Sequence, residues 1–262
     1  MPAYSAPCFF RSMALIIDLE TVGQDFNGLD AATQDNLTRW ARREAAGDQA
    51  KLNVLLADVR ESLGFSPLTG EIAALGVYDD EKKQGVVYYQ SPAAPGREFS
   101  LGSIVCKPRT EAAMLADFWR GATRYQSFVT FNGRTFDLPW LMVRSAVHRQ
   151  RPPFNLLGRR YYRPEDRGRQ QIDLLDQFTF YGAVRRRGSL HLYCRVFGIA
   201  SPKDQGITGD DVARLFREQQ YEQIAAYNSR DLLATAALFK IWQAYWPEEN
   251  KRQAVGRREG WR

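Results

Sequence analysis

Histidine and cysteine are scarce in this chain: two histidines, His148 and His191, and three cysteines, Cys8, Cys106 and Cys194, are spread over 262 residues. The cysteines are odd in number, far apart and without a CxxC pair, so they read as buried or incidental thiols and not as disulfides or a zinc site. Two histidines are too few for a histidine-rich metal centre. No apolar run approaches the roughly 18 residues of a membrane-spanning helix, and residues 1–12 lack the extended apolar region of a signal peptide. A cytoplasmic protein without membrane contact is expected. Internal repeats and low-complexity tracts are also missing. With 44% hydrophobic residues the chain is long enough for one sizeable core. One domain over 13–246 is expected, between an N-terminal extension (1–12) and a charged tail (247–262).

Lysine is absent from the segment between Arg144 and Arg195. That segment has twelve arginines against Glu165, Asp166, Asp173 and Asp176, and so carries more positive charge than the net +6 of the whole chain. In Arg159-Arg160-Tyr161-Tyr162-Arg163, and again around Arg185-Arg186-Arg187, guanidinium groups accompany aromatic rings. The combination suits phosphates and the stacked bases of a single strand. A solvated basic face would have the same composition, so the neighbouring chemistry must decide between the two.

The hydrophobic pattern orders the chain. Met13 to Leu19 is a short apolar run ending in carboxylates, as expected of a buried strand whose end meets a site. Residues two apart in an extended chain share a face, which puts Asp18 and Glu20 together and turns Ile17 and Leu19 away. A helical pair is expected over about 30–63, with Leu52, Leu55, Leu56, Val59 and Leu63 along one stripe. Glu71 to Tyr78 and Gly85 to Gln90 read as an antiparallel hairpin. A loop marked by Pro92, Pro95, Gly96 and Pro108 precedes a helix over 110–125. Ser127 to Phe131 is the next strand, broken by Asn132-Gly133, and a helix follows over about 138–149. The rest of the arginine-rich stretch to Arg169 reads as irregular. Helices are expected over 171–181, 189–197, 208–219 and about 221–246, the third opened by a capping box of Thr208 and Asp211. Early strands, one antiparallel pair and later helices predict an α/β fold with a mixed sheet flanked by helices.

Asp18-Leu19-Glu20-Thr21, Asn132 to Asp137 and Tyr227 to Asp231 supply the chemistry. Tyr227 and Asp231 stand four apart on one helical face, which also carries Ile224, Leu238 and Trp242. A carboxylate on such an inward face is costly unless compensated. Taken singly, Asp231 would pair with an arginine, Asp137 would cap a helix, and Asp18 and Glu20 would close a strand. Gathered at one point, the four would repel each other unless divalent cations sat between them, and hard cations such as Mg²⁺ or Mn²⁺ prefer oxygen ligands. Two such ions about 4 Å apart activate a water and stabilise the leaving oxygen of a phosphodiester, so the set points to a metal-dependent nuclease. Asp173 is a fifth candidate, better read as the start of a helix.

Asp18-x-Glu20, Asn132-x-x-x-Phe136-Asp137 and Tyr227-x-x-x-Asp231 resemble the three exonuclease motifs of the DEDD superfamily in its tyrosine-containing branch. The histidine branch would place histidine where this chain has Ala226. Tyr181-Gly182 after the run from Ile172 to Phe178, then Ser189-Leu190, Gly198-Ile199 and Pro202-Lys203, resembles stand-alone bacterial proteins related to the proofreading domain of family B DNA polymerases. The similarity runs from about Met13 to Tyr245. It implies a ribonuclease H-like fold and removal of nucleotides from a 3′ end. Carried over by position, Asp18, Glu20, Asp137 and Asp231 hold two metal ions, Tyr227 orients or helps deprotonate the attacking water, and Thr21 and Asn132 lie near the terminal nucleotide. The helical segment after the first strand departs from the compact proofreading domain. Arg159, Arg160 and Arg163 are candidates for the path of a single strand, with DNA favoured. An RNA substrate, or a binding module of the same fold with weak catalysis, remains open.

Overall fold

The computed structural model describes residues 13–158, 160, 168–201, 206 and 208–246. The N-terminal extension, Arg159, Tyr161, Tyr162, Arg163, Pro202, Lys203 and the charged tail lie outside the described residues.

A seven-stranded mixed sheet forms the centre of the described residues, in the order β4 (Phe99–Leu101), β5 (Ile104–Pro108), β3 (Gln84–Tyr89), β2 (Gly70–Asp79), β1 (Ala14–Gly23), β6 (Ser127–Thr130) and β7 (Gln170–Asp173). Strand β1 (Ala14–Gly23) alternates as expected: Leu15, Ile17 and Leu19 enter one core, while Ile16 and Val22 enter the other. Antiparallel to it runs β2 (Gly70–Asp79), which turns back into β3 (Gln84–Tyr89). Between β1 and β2 stand two helices, α1 (Ala31–Ala45) and α2 (Gln49–Ser62), each opened by an aspartate, Asp30 and Asp48, whose side chain accepts a backbone N–H in the first turn. The expected helical segment is therefore present, as a pair.

The predicted loop over 92–108 is partly strand. Strands β4 (Phe99–Leu101) and β5 (Ile104–Pro108) form a hairpin whose two-residue turn begins at Gly102 with φ of 58°, and glycine tolerates that left-handed backbone without a Cβ clash. Parallel pairing of β5 with β3 extends the sheet, and Pro108 is tolerated because it is the last residue of its strand. Helix α3 (Glu111–Ala122) follows with Thr110 as its N-cap, then β6 (Ser127–Thr130) and α4 (Asp137–Val147).

A second departure lies at Gln170–Asp173, expected to open a helix. These residues form β7, parallel to β6, and only Leu174–Phe178 are helical, as α5. Helices α6 (Leu190–Val196), α7 (Val212–Arg217) and α8 (Tyr221–Tyr245) follow. Thr208 and Asp211 do form the expected capping box. Helices α5 to α8 cover one face of the sheet, and α3 and α4 the other. Cys106 and Cys194 are both buried, and burial pushes the Cys106 thiol up to about 11. Among the described residues no helix is long and apolar enough to cross a membrane.

One glycine decides how closely α8 approaches. Gly76 lies directly across β2 from Asp18, and a Cβ there would overlap Asn228 Oδ1 and come within 2.5 Å of Leu232 Cδ1, both on α8. Asn228 is fully buried and cannot swing aside. Gly76→Ala is expected to destabilise the protein by about 1–3 kcal/mol through overpacking, read as a lower urea midpoint at unchanged m-value.

Candidate active site

Strand β1 outruns its neighbour β6. The two pair only from Ala14 to Ile16, so one edge of β1 is open beyond that point. Asp137, the first residue of α4, closes the gap: its Oδ1 accepts the Leu19 N–H at 2.9 Å. Asp137 is thus no N-cap, since Phe136 holds that position. Its carboxylate instead fixes the start of α4 against the strand that carries Asp18 and Glu20.

On the α8 side, the space left by Gly76 is filled by Asn228, whose Nδ2 donates to Asp18 Oδ2 at 2.7 Å. The partner of Glu20 across β2 is also small, Ala74. Helix α8 therefore lies close enough for Asp231 to join the pair. One carboxylate oxygen each from Asp18, Glu20 and Asp231 all lie within 4.8 Å of one another. Glu20 and Asp231 are buried and Asp18 is half-buried, so the cluster opens to solvent on the Asp18 side. Asp137 is buried beside this trio, close enough to act on the charge of Asp18 and Glu20.

The electrostatics follow from this crowding. Burial first, and then the charges of Asp231, Glu20 and Asp137, push Asp18 well above the usual carboxylate range. Glu20 is raised by burial, Asp231 and Asp137, against a smaller lowering by Asn228 and Arg230. Asp137 is raised to about 7, mainly by burial. All three carboxyls thus favour a proton when nothing compensates them. An all-oxygen, like-charged donor set of this size fits a hard divalent cation, which would reverse every one of these shifts.

Tyr227 is buried one turn before Asp231, with the Arg230 guanidinium 5.7 Å from its ring centre. Burial, the charges of Asp231, Glu20 and Asp18, and a hydrogen bond with Asp231 drive its phenol far above its ordinary value. With these carboxylates uncompensated the phenol keeps its proton and donates to Asp231.

The remaining candidates are placed less uniformly. Thr21 donates its hydroxyl to the Gly64 carbonyl at 2.6 Å and ties β1 to the short helical turn after α2. Asn132 takes a left-handed backbone, φ 64°. Its N–H and that of Arg134 donate to the two oxygens of Asp173, which also accepts the Leu175 N–H and so caps α5. Asp173 is the helix opener expected of it, and it pins the loop leading to Asp137 as well. Arg160 is held by Asp176 through two hydrogen bonds, at 2.9 and 2.5 Å, which anchors this arginine internally. Asn228 received no role from the sequence, although its place three residues before Asp231 puts it on the same helical face.

Carboxyls raised in the folded state bind protons that the unfolded chain releases, so they stabilise at low pH and lose that effect as pH rises. In chelator-treated protein the melting temperature should fall between about pH 4 and about pH 7, from the ordinary carboxylate value to that of Asp137. Asp137→Asn, which keeps the acceptor for Leu19 and removes the charge, should flatten this fall. Added Mg²⁺ or Mn²⁺ should raise the wild-type melting point by binding the native state. Equal pH slopes in the two proteins would show that these charges carry little strain.

No curated protein matches the sequence. A family model described as a predicted 3′-5′ exonuclease related to the exonuclease domain of PolB matches residues 93–248, more than half of the chain. That span carries Asp137, Tyr227 and Asp231, and the fold sets them beside Asp18 and Glu20 of β1, which precedes the span. The seven-stranded mixed sheet flanked by helices is of the ribonuclease H-like kind. The chain belongs to the family of predicted 3′-5′ exonucleases related to the exonuclease domain of PolB.

Proposed function

We propose that the protein is a tyrosine-branch DEDD exonuclease that removes nucleotides from the 3′ ends of single-stranded DNA, using two divalent cations, Mg²⁺ or Mn²⁺. The observation that carries this reading is the convergence of Asp18, Glu20 and Asp231, from opposite ends of the chain, to within 4.8 Å in a largely buried cleft. Binding alone would need no such cluster, and burying it is unfavourable unless cations compensate it.

In this reading Asp18, Glu20, Asp137 and Asp231 hold the cations. When bound, these supply an activated water and charge stabilisation for the leaving oxygen. The protein's own groups do the positioning. Asn228 orients Asp18 through its amide, and the Leu19 N–H orients Asp137. Tyr227, one turn before Asp231 on α8, orients the attacking water or helps deprotonate it. Thr21 and Asn132 flank the carboxylates on β1 and on the loop before α4, places from which the terminal nucleotide is within reach. Arg159, Arg160 and Arg163 belong to the proposed strand path, Arg160 while paired with Asp176.

The test uses strands of DNA and RNA labelled at either end, with Mn²⁺ and with chelator. Metal-dependent release of mononucleotides from the 3′ end of DNA, faster than from RNA, is expected. Preference for RNA would move the substrate, and products from the 5′ end or from internal cuts would overturn the reading. Asp18→Ala should abolish turnover in a protein that still folds. Tyr227→Phe should lower it on the order of 10²-fold to 10⁴-fold with little change in strand affinity. Full activity of the phenylalanine variant would make Tyr227 a packing residue.

A further inference from the structure

Among the described residues, the arginines of the basic segment divide into those that the fold engages and those left exposed, Arg149, Arg151, Arg185, Arg186, Arg187 and Arg195. Arg144 pairs with Glu111 and Arg160 with Asp176, and Arg169 donates to the carbonyls of Thr123 and Tyr125. Arg185, Arg186 and Arg187 are all exposed and form no ion pair among the described residues. Immediately before them Phe180, Tyr181 and Gly182 take left-handed backbone in succession, at φ 49°, 56° and 100°. Two of these three bear side chains, for which that conformation is unfavourable, and such strain persists where the surroundings impose it, often at ligand clamps. The turn presents the Phe180 ring, 48% exposed, stacked on Trp246 with centroids 5.9 Å apart and planes at 21°. Gln177 Nε2 donates to the Tyr181 hydroxyl, and Trp246 Nε1 to the Gln177 carbonyl, so the Tyr181 and Trp246 rings are tethered to α5.

The placement of this patch is informative. Strands β1, β6 and β7 are parallel, so α5 and the turn after it leave the same sheet edge at which Asp18 and Glu20 lie. Helix α8 joins the two places: Asp231 lies just before its middle and Trp246 caps its end, about four turns or roughly 22 Å further along. We propose that Arg185–Arg187 and the Phe180–Trp246 ring pair form a distal binding site for the single strand whose 3′ end enters the carboxylate cluster. The proposal rests on the exonuclease reading above. Guanidinium groups beside an exposed ring stack provide both phosphate contact and base stacking, whereas an acidic protein surface would need only the charges. At about 3.4 Å per stacked nucleotide, a strand of roughly six nucleotides spans the distance, and a trinucleotide does not.

The test compares a trinucleotide with a fifteen-nucleotide strand, in wild type and in the Arg185→Ala/Arg186→Ala/Arg187→Ala variant. The ratio of kcat/KM for the long strand to that for the short one should fall about tenfold in the variant, through KM. In an Asp231→Ala background, binding of the long strand over a salt series reads the same contacts without turnover. The log–log slope should flatten by about 2 if three phosphates are released, at about 0.7 each. Phe180→Ala should weaken that binding on the order of tenfold while leaving the slope unchanged. An unaltered slope and length ratio in the arginine variant would overturn the site and assign the loop to solvent or to an acidic protein. Loss of hydrolysis by the wild type, with the arginine-dependent slope intact, would instead overturn the exonuclease reading and leave the strand site standing.

Discussion

Carboxylates at close quarters repel each other, and burial strengthens the repulsion: two unit charges about 4 Å apart oppose each other by about 4 kcal/mol at an effective dielectric of about 20. The scaffold holds Asp18, Glu20 and Asp231 together against this force from both sides. Strand β1 is internal to the sheet, paired along its length with β2, and cannot yield without breaking the ladder. Helix α8 is buried on most of its surface and packs across β1, β2 and β3. Gly76 permits that approach, and Asn228 turns the resulting contact into a hydrogen bond on Asp18. Each device is local, yet all of them position one helix over one strand.

The opposite face of the sheet contains a buried charged group of a different kind. Glu111 accepts hydrogen bonds from Arg144 and from the Ile72 N–H and shares another with His148. Burial works against its charge, but these partners outweigh it and hold the carboxyl below its ordinary range. The network joins α3, α4 and β2 and asks for nothing further. In the Asp18 cluster the neutral amide of Asn228 and the more distant charge of Arg230 leave the carboxyls raised. That contrast separates a structural buried carboxylate from one poised for a cation.

Much of this was legible in the sequence, because the informative signals were local. Residues 18 and 20 share a strand face, and 227 and 231 share a helix face, whatever the fold around them. The missed strands have a physical explanation. Residues 170–173 make a strand too short to show a period, and they extend because β6 offers a free parallel edge, a tertiary fact. The β4–β5 hairpin was hidden by the prolines around it, although Gly102-Ser103 is a recognisable turn pair. Gly76 carried no signal, since its role depends on which helix packs above it. The arginine count is the coarsest signal: composition cannot reveal that Arg144 and Arg160 are engaged by internal carboxylates, or that Arg169 lies over the Phe154 ring at 4.0 Å.

A nucleic acid strand and a carboxylate cluster are both anionic, so a site of this kind must attract a substrate that its own ligands repel. On the proposed reading two separate devices meet this need. At the scissile end, cations convert the cluster from negative to neutral or positive, so that the same oxygens that repel the phosphate without metal attract it with metal. Further back along the strand no cation is required, and exposed arginines with no ion pair among the described residues supply the field. The two are separated by the whole second half of α8, whose buried side chains make it a rigid spacer. Strand length, metal occupancy and salt then act on different parts of the molecule: salt weakens the distal contacts first, and metal removal silences the cluster while the distal grip persists.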